Sequence, residues 1–302
     1  MRVLADQGES DVSNESPTDN DLASKNYACM MPALIADWRA HWSAASGTAA
    51  DFPFGIVQIS AWGGATSGTV ATGTNLQVPA LRWGQSANFG YAPNPKMPRT
   101  FMAVALDMGA YQGGCCAGRS NCNTYPSLCI HPWWKQEVGR RLALGMMNIG
   151  YNDSTACHQG PFPISAHAVR ASAAAAGAGA IKVTFKQQDD GGCGTSGIIL
   201  RSQADFELKP TGGGNWTLAT IVASDSTSVT LKSSTSTSSS SRAGTTFEAV
   251  RYLWSQSPGS HPRDDSVPGN VSVYAAGPRG EELPAPPFFL AVMPVHAAGA
   301  AA

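Results

Sequence analysis

The chain has 302 residues, long enough for two domains that each bury a core. Only 14% of them are charged and the formal net charge is −1. That balance excludes electrostatic capture of nucleic acid or of an anionic membrane surface, and no stretch approaches the ~20 apolar residues of a membrane span.

In chain order, a short apolar run, "MRVLA", leads into "QGESDV" at Gln7–Val12. Ser10 reads two ways here, as a nucleophile on a strand-to-loop turn or as a neighbour of a meaningful Gln7-Gly8-Glu9 triplet. "MPALIADWRAHWSAA" predicts a helix with Leu34, Trp38 and Trp42 on one face and Pro32 in its first turn. "FGIVQIS" and "FMAVALDMG" are short continuous apolar runs, the pattern of strands buried on both sides of a parallel sheet. "HPWWKQEVGRRLALGMMNIGY" carries Trp134, Val138, Leu142, Met146 and Ile149 along one stripe, with Pro132 at the helix start. Strand alternating with helix predicts a doubly wound α/β sheet over residues 1–155.

After "GPFP" the texture changes. "AIKVTFK", "ADFELKP", "WTLATIVA", "SVTLK", "FEAVRYLW", "NVSVYAA" and "FFLAVMPV" are β-type runs separated by Gly, Pro and Ser. They predict an all-β domain over residues 160–295, with a low-complexity loop at 233–241 and a disordered tail at 296–302.

The seven cysteines include four in "GGCCAGRSNCNTYPSLC", which reads as a disulfide-stapled loop, with Cys116–Cys122 as the expected pair. The rival reading is a zinc site at Cys122, Cys129 and His131, although no Cys-x-x-Cys pair is present. Sequons at Asn14, Asn152, Asn215 and Asn270 fit a secreted glycoprotein, yet the apolar run at 1–5 is too short for a signal peptide. Secretory chemistry without a secretory signal suggests a lost N-terminus.

Ligands in open α/β sheets bind beyond the carboxyl ends of the strands. Three candidates fall there: Gln7-Gly8-Glu9, Asp107, and His131, which Pro132 and the following helix hold in place as a general base must be held.

"QGESD", "YACMMPALIADWRAHW", "FPFGIVQIS", "GYAPNPKMP", "IHPWWKQ", "VRYLWSQSP" and "LPAPPFFLAV" together resemble the sialate O-acetylesterase family of SGNH-type serine hydrolases, in order from Gln7 to about Val292. The resemblance implies a partial SGNH-hydrolase-like doubly wound parallel sheet followed by the all-β domain. The implied activity is hydrolysis of O-acetyl esters of sialic acids in the secretory pathway, outside the cell or in the lysosome, with no cofactor and no metal. It casts Gln7 as oxyanion donor, His131 as general base, and Glu9 and Arg82 as substrate contacts. The family's nucleophile belongs to an upstream Gly-Gln-Ser-Asn motif, and no such motif occurs in this chain. Ser10 is then no nucleophile. Ser86, in "WGQSANFGY", is a decoy inside the family's Arg-Trp-x-Gln-x-Ala stretch.

The departures from the family pattern shape the remaining expectations. Leu128 stands where SGNH hydrolases place Asp three residues before the His, which leaves Asp107 as the candidate orienting acid. Asp6 precedes Gln7 where the family tends to carry an aromatic. The chain is therefore expected to be a C-terminal portion that is inactive alone, has an exposed apolar sheet edge prone to association, and takes the absent N-terminal half of the same enzyme as partner. Residues 160–295 are expected to fold by themselves. The alternatives are a non-catalytic carbohydrate-binding or structural pseudo-esterase, and an acetylesterase for another sugar.

Overall fold

The computed structural model describes residues 3–9, 11, 22–61, 76–108, 130–132, 134–169, 179–186, 197–234, 245–255, 271–277 and 280–294. Three short strands, β1 (Val3–Asp6), β2 (Phe54–Val57) and β3 (Thr100–Ala103), form a parallel sheet in the order β1-β2-β3. Parallel pairing requires crossovers, and two of these are helical: α1 (Leu22–Ser46) joins β1 to β2, and α2 (Gln77–Gln85) lies between β2 and β3. A third helix, α3 (Lys135–Gly145), continues into a π-helical turn at Met146–Gly150.

Side chains on successive residues of β2 point to opposite faces, and both faces are covered. Phe54 and Ile56 pack with Tyr27, Met31 and Ile35 of α1 and with Val78 and Leu81 of α2. Val57, with Phe101 and Ala103 of β3, packs on Val138 and Leu142 of α3. The stripe from Trp134 to Ile149 is the face that α3 and its π-helical extension apply to the sheet.

The first helix differs from its sequence reading in two respects. Pro32 lies inside α1, not in its first turn, because the helix begins ten residues earlier. Its buried face runs through Tyr27, Met31, Ile35 and Arg39, with Trp38 and Trp42 flanking, while Leu34 is exposed. The reading began at the proline and so lost the turns that fix the phase of the apolar stripe.

Beyond residue 160 the chain forms a closed barrel of seven strands: β4 (Phe162–Ala168), β5 (Ile181–Lys186), β7 (Phe206–Pro210), β8 (Thr217–Ser224), β9 (Ser228–Ser233), β10 (Phe247–Tyr252) and β13 (Phe288–Met293). Its strands run antiparallel except at β13–β4, where closure of an odd number of strands leaves one parallel pair. A small sheet, β12-β11-β6, lies beside it, made of β6 (Ile198–Leu200), β11 (Val273–Ala276) and β12 (Glu282–Pro284). All seven β-type runs read from the sequence contribute a strand. The sequence reading missed β4, β6 and β12. Two of these have only three residues, too few for an alternation to be recognised, and β4 begins at the "GPFP" boundary.

The barrel core is not closed off from the α/β unit. Met102, Val104 and Leu106, which run on from β3, and Ala92 share one hydrophobic cluster with Phe206, Val229, Tyr252 and Phe288 of the barrel. Phe206, Tyr252 and Phe288 form a ring cluster with centroids 4.6 to 6.2 Å apart, and each such pair adds about 0.5–1.5 kcal/mol beyond its burial.

Candidate active site

The carboxyl ends of the three parallel strands converge on one edge, where the loops after β1, β2 and β3 meet. The loop after β1 is Gln7-Gly8-Glu9. Gly8 has φ +128°, and a Cβ there would fall 2.8 Å from Ile59 Cδ1 and 3.1 Å from the Tyr27 hydroxyl. Only glycine fits this turn. Tyr27, from α1, donates to the Gln7 side-chain oxygen Oε1 and to its backbone carbonyl. Burial, with the charges of Asp11 and Glu9, pushes the Tyr27 phenol well above its usual range, so it remains a donor. A donor on Oε1 fixes the amide orientation and turns Nε2 outward, where Asp11 Oδ2 takes one of its two N–H groups at 2.9 Å.

Gln85, at the end of α2 and fully buried, ties this loop to the next. Its Nε2 donates to the carbonyls of Gln7 (3.1 Å) and Val57 (3.0 Å), and its Oε1 accepts from the Ile59 amide at 2.9 Å. Gln58, just past β2, is buried, and its Oε1 has no hydrogen-bond partner among the described residues.

His131 is exposed between buried Ile130 and Pro132, directly ahead of α3. Lys135, in the first turn of α3, reaches Asp6 Oδ2 at 3.4 Å and links the start of that helix to the end of β1. Burial raises the Glu9 carboxyl above its usual range. A backbone hydrogen bond opposes that rise, the Asp6 charge adds to it, and the His131 imidazole lowers it. Gln7, Glu9 and His131, each read from the sequence as a site residue, therefore lie at the same edge.

Arg82 and Asp107 are corrections. Arg82 is fully buried, and its guanidinium donates to the carbonyls of Ile59 (3.0 Å), Ser60 (2.7 Å) and Ser255 (2.7 Å). It braces the loop after β2 against the barrel side of the molecule and has no surface with which to meet a substrate. Burial alone brings its pKa down to about 9, which leaves it charged at neutral pH. Asp107 lies in the 3-10 turn Leu106–Met108, buried, with both oxygens held by Arg141 at 2.7 Å and a further bond from the Tyr274 hydroxyl at 3.1 Å. Burial opposes the Arg141 charge, but Asp107 and then Glu137 outweigh it and hold the guanidinium above its usual range. Asp107 is thus committed to an internal ion pair and not to orienting His131.

Ser86 is also internal: its Oγ donates to the Trp83 carbonyl and accepts from the Gly90 amide at 2.7 Å. Ser10 and the cysteine loop, including Cys116, Cys122, Cys129 and Leu128, lie outside the described residues. So do most of the 233–241 loop and the 296–302 tail.

No protein-family profile matches the chain. The chain is 40% identical over 139 residues to a mouse protein named sialate O-acetylesterase, covering 45% of this chain and 22% of that protein. It is likewise 40% identical over 159 residues to a human protein of that name, covering 52% of this chain and 25% of that protein. Over about half its length the chain is a homologue of sialate O-acetylesterases. The match spans about a quarter of the length of these relatives. Among solved structures, a carbohydrate acetylesterase from Xanthomonas citri superposes with a TM-score of 0.57 at 22% identity, over 95% of this chain and 49% of that one, a likeness of fold.

Tyr27 and Gln85 are the residues that sequence reasoning missed. Both lie in stretches that resemble the family, but nothing local to either marks it as a clamp on Gln7, 20 and 78 positions away.

Proposed function

We propose that this chain forms the base-bearing and oxyanion-stabilising part of an SGNH-type doubly wound esterase domain, and that the enzyme removes O-acetyl groups from sialic acids. The observation that supports this most is the meeting of the Gln7 loop with His131 at the carboxyl edge of the parallel sheet. The nucleophile comes from outside this sequence, which contains no Gly-Gln-Ser-Asn. Its serine attacks the acetyl carbonyl while His131 takes the hydroxyl proton. The Gln7 Nε2–H turned outward by Tyr27 stabilises the oxyanion. His131 then passes the proton to the departing sugar oxygen; water, deprotonated by His131, attacks the acetyl-serine ester, and His131 returns that proton to the serine oxygen as acetate leaves. Glu9, beside His131, takes the role for which Asp107 is not available.

The exposed sequons at Asn152 and Asn215 and the disulfide-bonded Cys157 support a secretory-pathway location. No helix among the described residues is long and apolar enough to cross a membrane.

The 302-residue chain alone is expected to leave p-nitrophenyl acetate at the background rate. Complementation with a segment that carries Gly-Gln-Ser-Asn should restore acetate release from O-acetylated N-acetylneuraminic acid. In that complex His131→Ala should abolish release, and Gln7→Ala should lower kcat by about 10²–10³-fold. Turnover by the chain alone that Ser10→Ala abolishes would overturn the assignment. Faster release from acetylated xylan than from the sialic acid would move the substrate to another sugar.

A further inference from the structure

The loop after β1 turns back on the side chain that opens it. Gly8, at φ +128°, reverses the chain, and the Asp11 amide donates to the Gly8 carbonyl at 3.1 Å. The turn so closed sets the Asp11 carboxylate against the Gln7 amide, where Oδ2 accepts from Nε2 at 2.9 Å. On the other side the Tyr27 hydroxyl donates to Gln7 Oε1, with the Gln7 backbone carbonyl 3.1 Å away as a second acceptor. These two partners constrain the amide differently. A glutamine amide turned end for end exchanges its oxygen and its NH2 group, which have nearly the same shape. Tyr27 tolerates either orientation: in the reversed one its hydroxyl would accept from Nε2 and donate to the backbone carbonyl instead. A carboxylate has no hydrogen to give, so beside Asp11 only Nε2 can stand. Reversal would press Oε1 against Oδ2, two acceptors in contact with no proton between them.

From this asymmetry we propose that Asp11 is the positioning residue of the oxyanion site: it selects the orientation in which Gln7 presents N–H and not C=O. One Nε2 hydrogen is taken by Asp11, and the other has no hydrogen-bond partner among the described residues. Gln7 is exposed at the carboxyl edge of the sheet, so that second hydrogen remains for an incoming acyl oxygen. A reversed amide would offer the oxyanion another oxygen and repel it. The rate therefore scales with the fraction of molecules whose amide is correctly turned. Gln85 does not share this role, because it holds the Gln7 backbone carbonyl (3.1 Å) and not the side chain. The inference deepens the esterase reading given above, on which it rests, by adding a residue that acts only through Gln7.

Amide proton spectra of the full chain, labelled with 15N in its glutamine side chains, test the selection, and the Gln7 pair is the one missing in Gln7→Glu. In the wild type the Asp11-bound proton should lie at lower field than in free glutamine. Asp11→Asn, equal in size but able to donate as well as accept, should move both protons toward their free positions at an unchanged thermal midpoint. In the complemented enzyme it should lower kcat by about two- to tenfold at unchanged KM, as the competent orientation ceases to be the sole one populated. Asp11→Glu keeps an acceptor-only group and should retain more activity than Asp11→Asn, an order that a role in packing alone would reverse. Free-glutamine shifts in the wild type, shifts that Asp11→Asn leaves in place, or a kcat that Asp11→Asn raises would each overturn the selection. The two readings fail separately. Acetate release that Gln7→Ala lowers but Asp11→Asn spares defeats the role of Asp11 alone. An Asp11-dependent amide signal in a complemented enzyme that releases no acetate defeats the esterase assignment alone.

Discussion

At the residue scale, the structure decides which polar side chains face the chemistry and which hold the fold. In the proposed site Gln7 serves as a donor because Tyr27 occupies its oxygen, and Arg82, which resembles an anion contact in sequence, spends its hydrogen bonds on carbonyls. His158 shows the same separation. It is 3% exposed, and burial lowers its pKa to about 4 against an ordinary value of 6.5. A histidine whose folded pKa lies below its unfolded value contributes stability above pH 6.5 that is lost as pH falls toward 4, by about 3 kcal/mol for this shift. Urea midpoints of the wild type should therefore drop between pH 7 and pH 4.5 more steeply than those of His158→Gln. Parallel pH curves would show that this imidazole is not the buried neutral group described here.

At the element scale, short strands need fasteners. β1, β2 and β3 have only four residues each, and the ladder between them is correspondingly brief. The buried Asp107–Arg141 pair fastens three elements together: the turn after β3, helix α3 and, through Tyr274, strand β11. Removing Asp107 leaves the buried Arg141 with Glu137, 2.9 Å from its Nε, as its remaining counter-charge, and losing one partner of a buried pair costs up to about 3–5 kcal/mol. Asp107→Asn should lower the unfolding free energy by an amount of that order, read from denaturant titration. In the complemented enzyme it should leave the pH dependence of kcat/KM unmoved, since both Asp107 oxygens are held by Arg141. A shifted pH profile with unchanged stability would return Asp107 to the role of orienting acid. The interior Pro32 marks how elements override propensity. A proline there removes one helical hydrogen bond, yet α1 keeps its full length of 25 residues because Tyr27, Met31 and Ile35 bury their side chains on the sheet.

At the scale of the whole molecule, the two halves are more closely joined than their separate sequence textures suggest. The barrel closes on itself within Phe162–Met293. Its core nevertheless includes Ala92, Met102, Val104 and Leu106, and Arg82 bonds the Ser255 carbonyl. Expressed alone, residues 160–295 should unfold cooperatively but at lower denaturant than the same strands in the full chain. Equal midpoints would mean that the shared core adds nothing. Among the described residues β1 is an edge strand of its sheet, and its Leu4 is 54% exposed.

Much of this was legible in the sequence because it is local. Apolar runs gave most of the strands, a 3.6-residue stripe gave α3, although the helix starts at Lys135 and not at Pro132, and the resemblance pointed to Gln7, Glu9 and His131, which share one edge of the sheet. What only the tertiary structure decided are pairings between residues far apart in the chain. Tyr27 and Gln85 clamp Gln7, Asp107 binds Arg141 and Tyr274, and Arg82 reaches Ser255. A buried charge or amide must satisfy its hydrogen bonds with whatever the fold brings beside it, and no periodicity records which group that is. Residue type and spacing therefore point to a candidate site, while the partners that orient or withdraw each side chain are fixed only when the sheet, its helices and the barrel close around them.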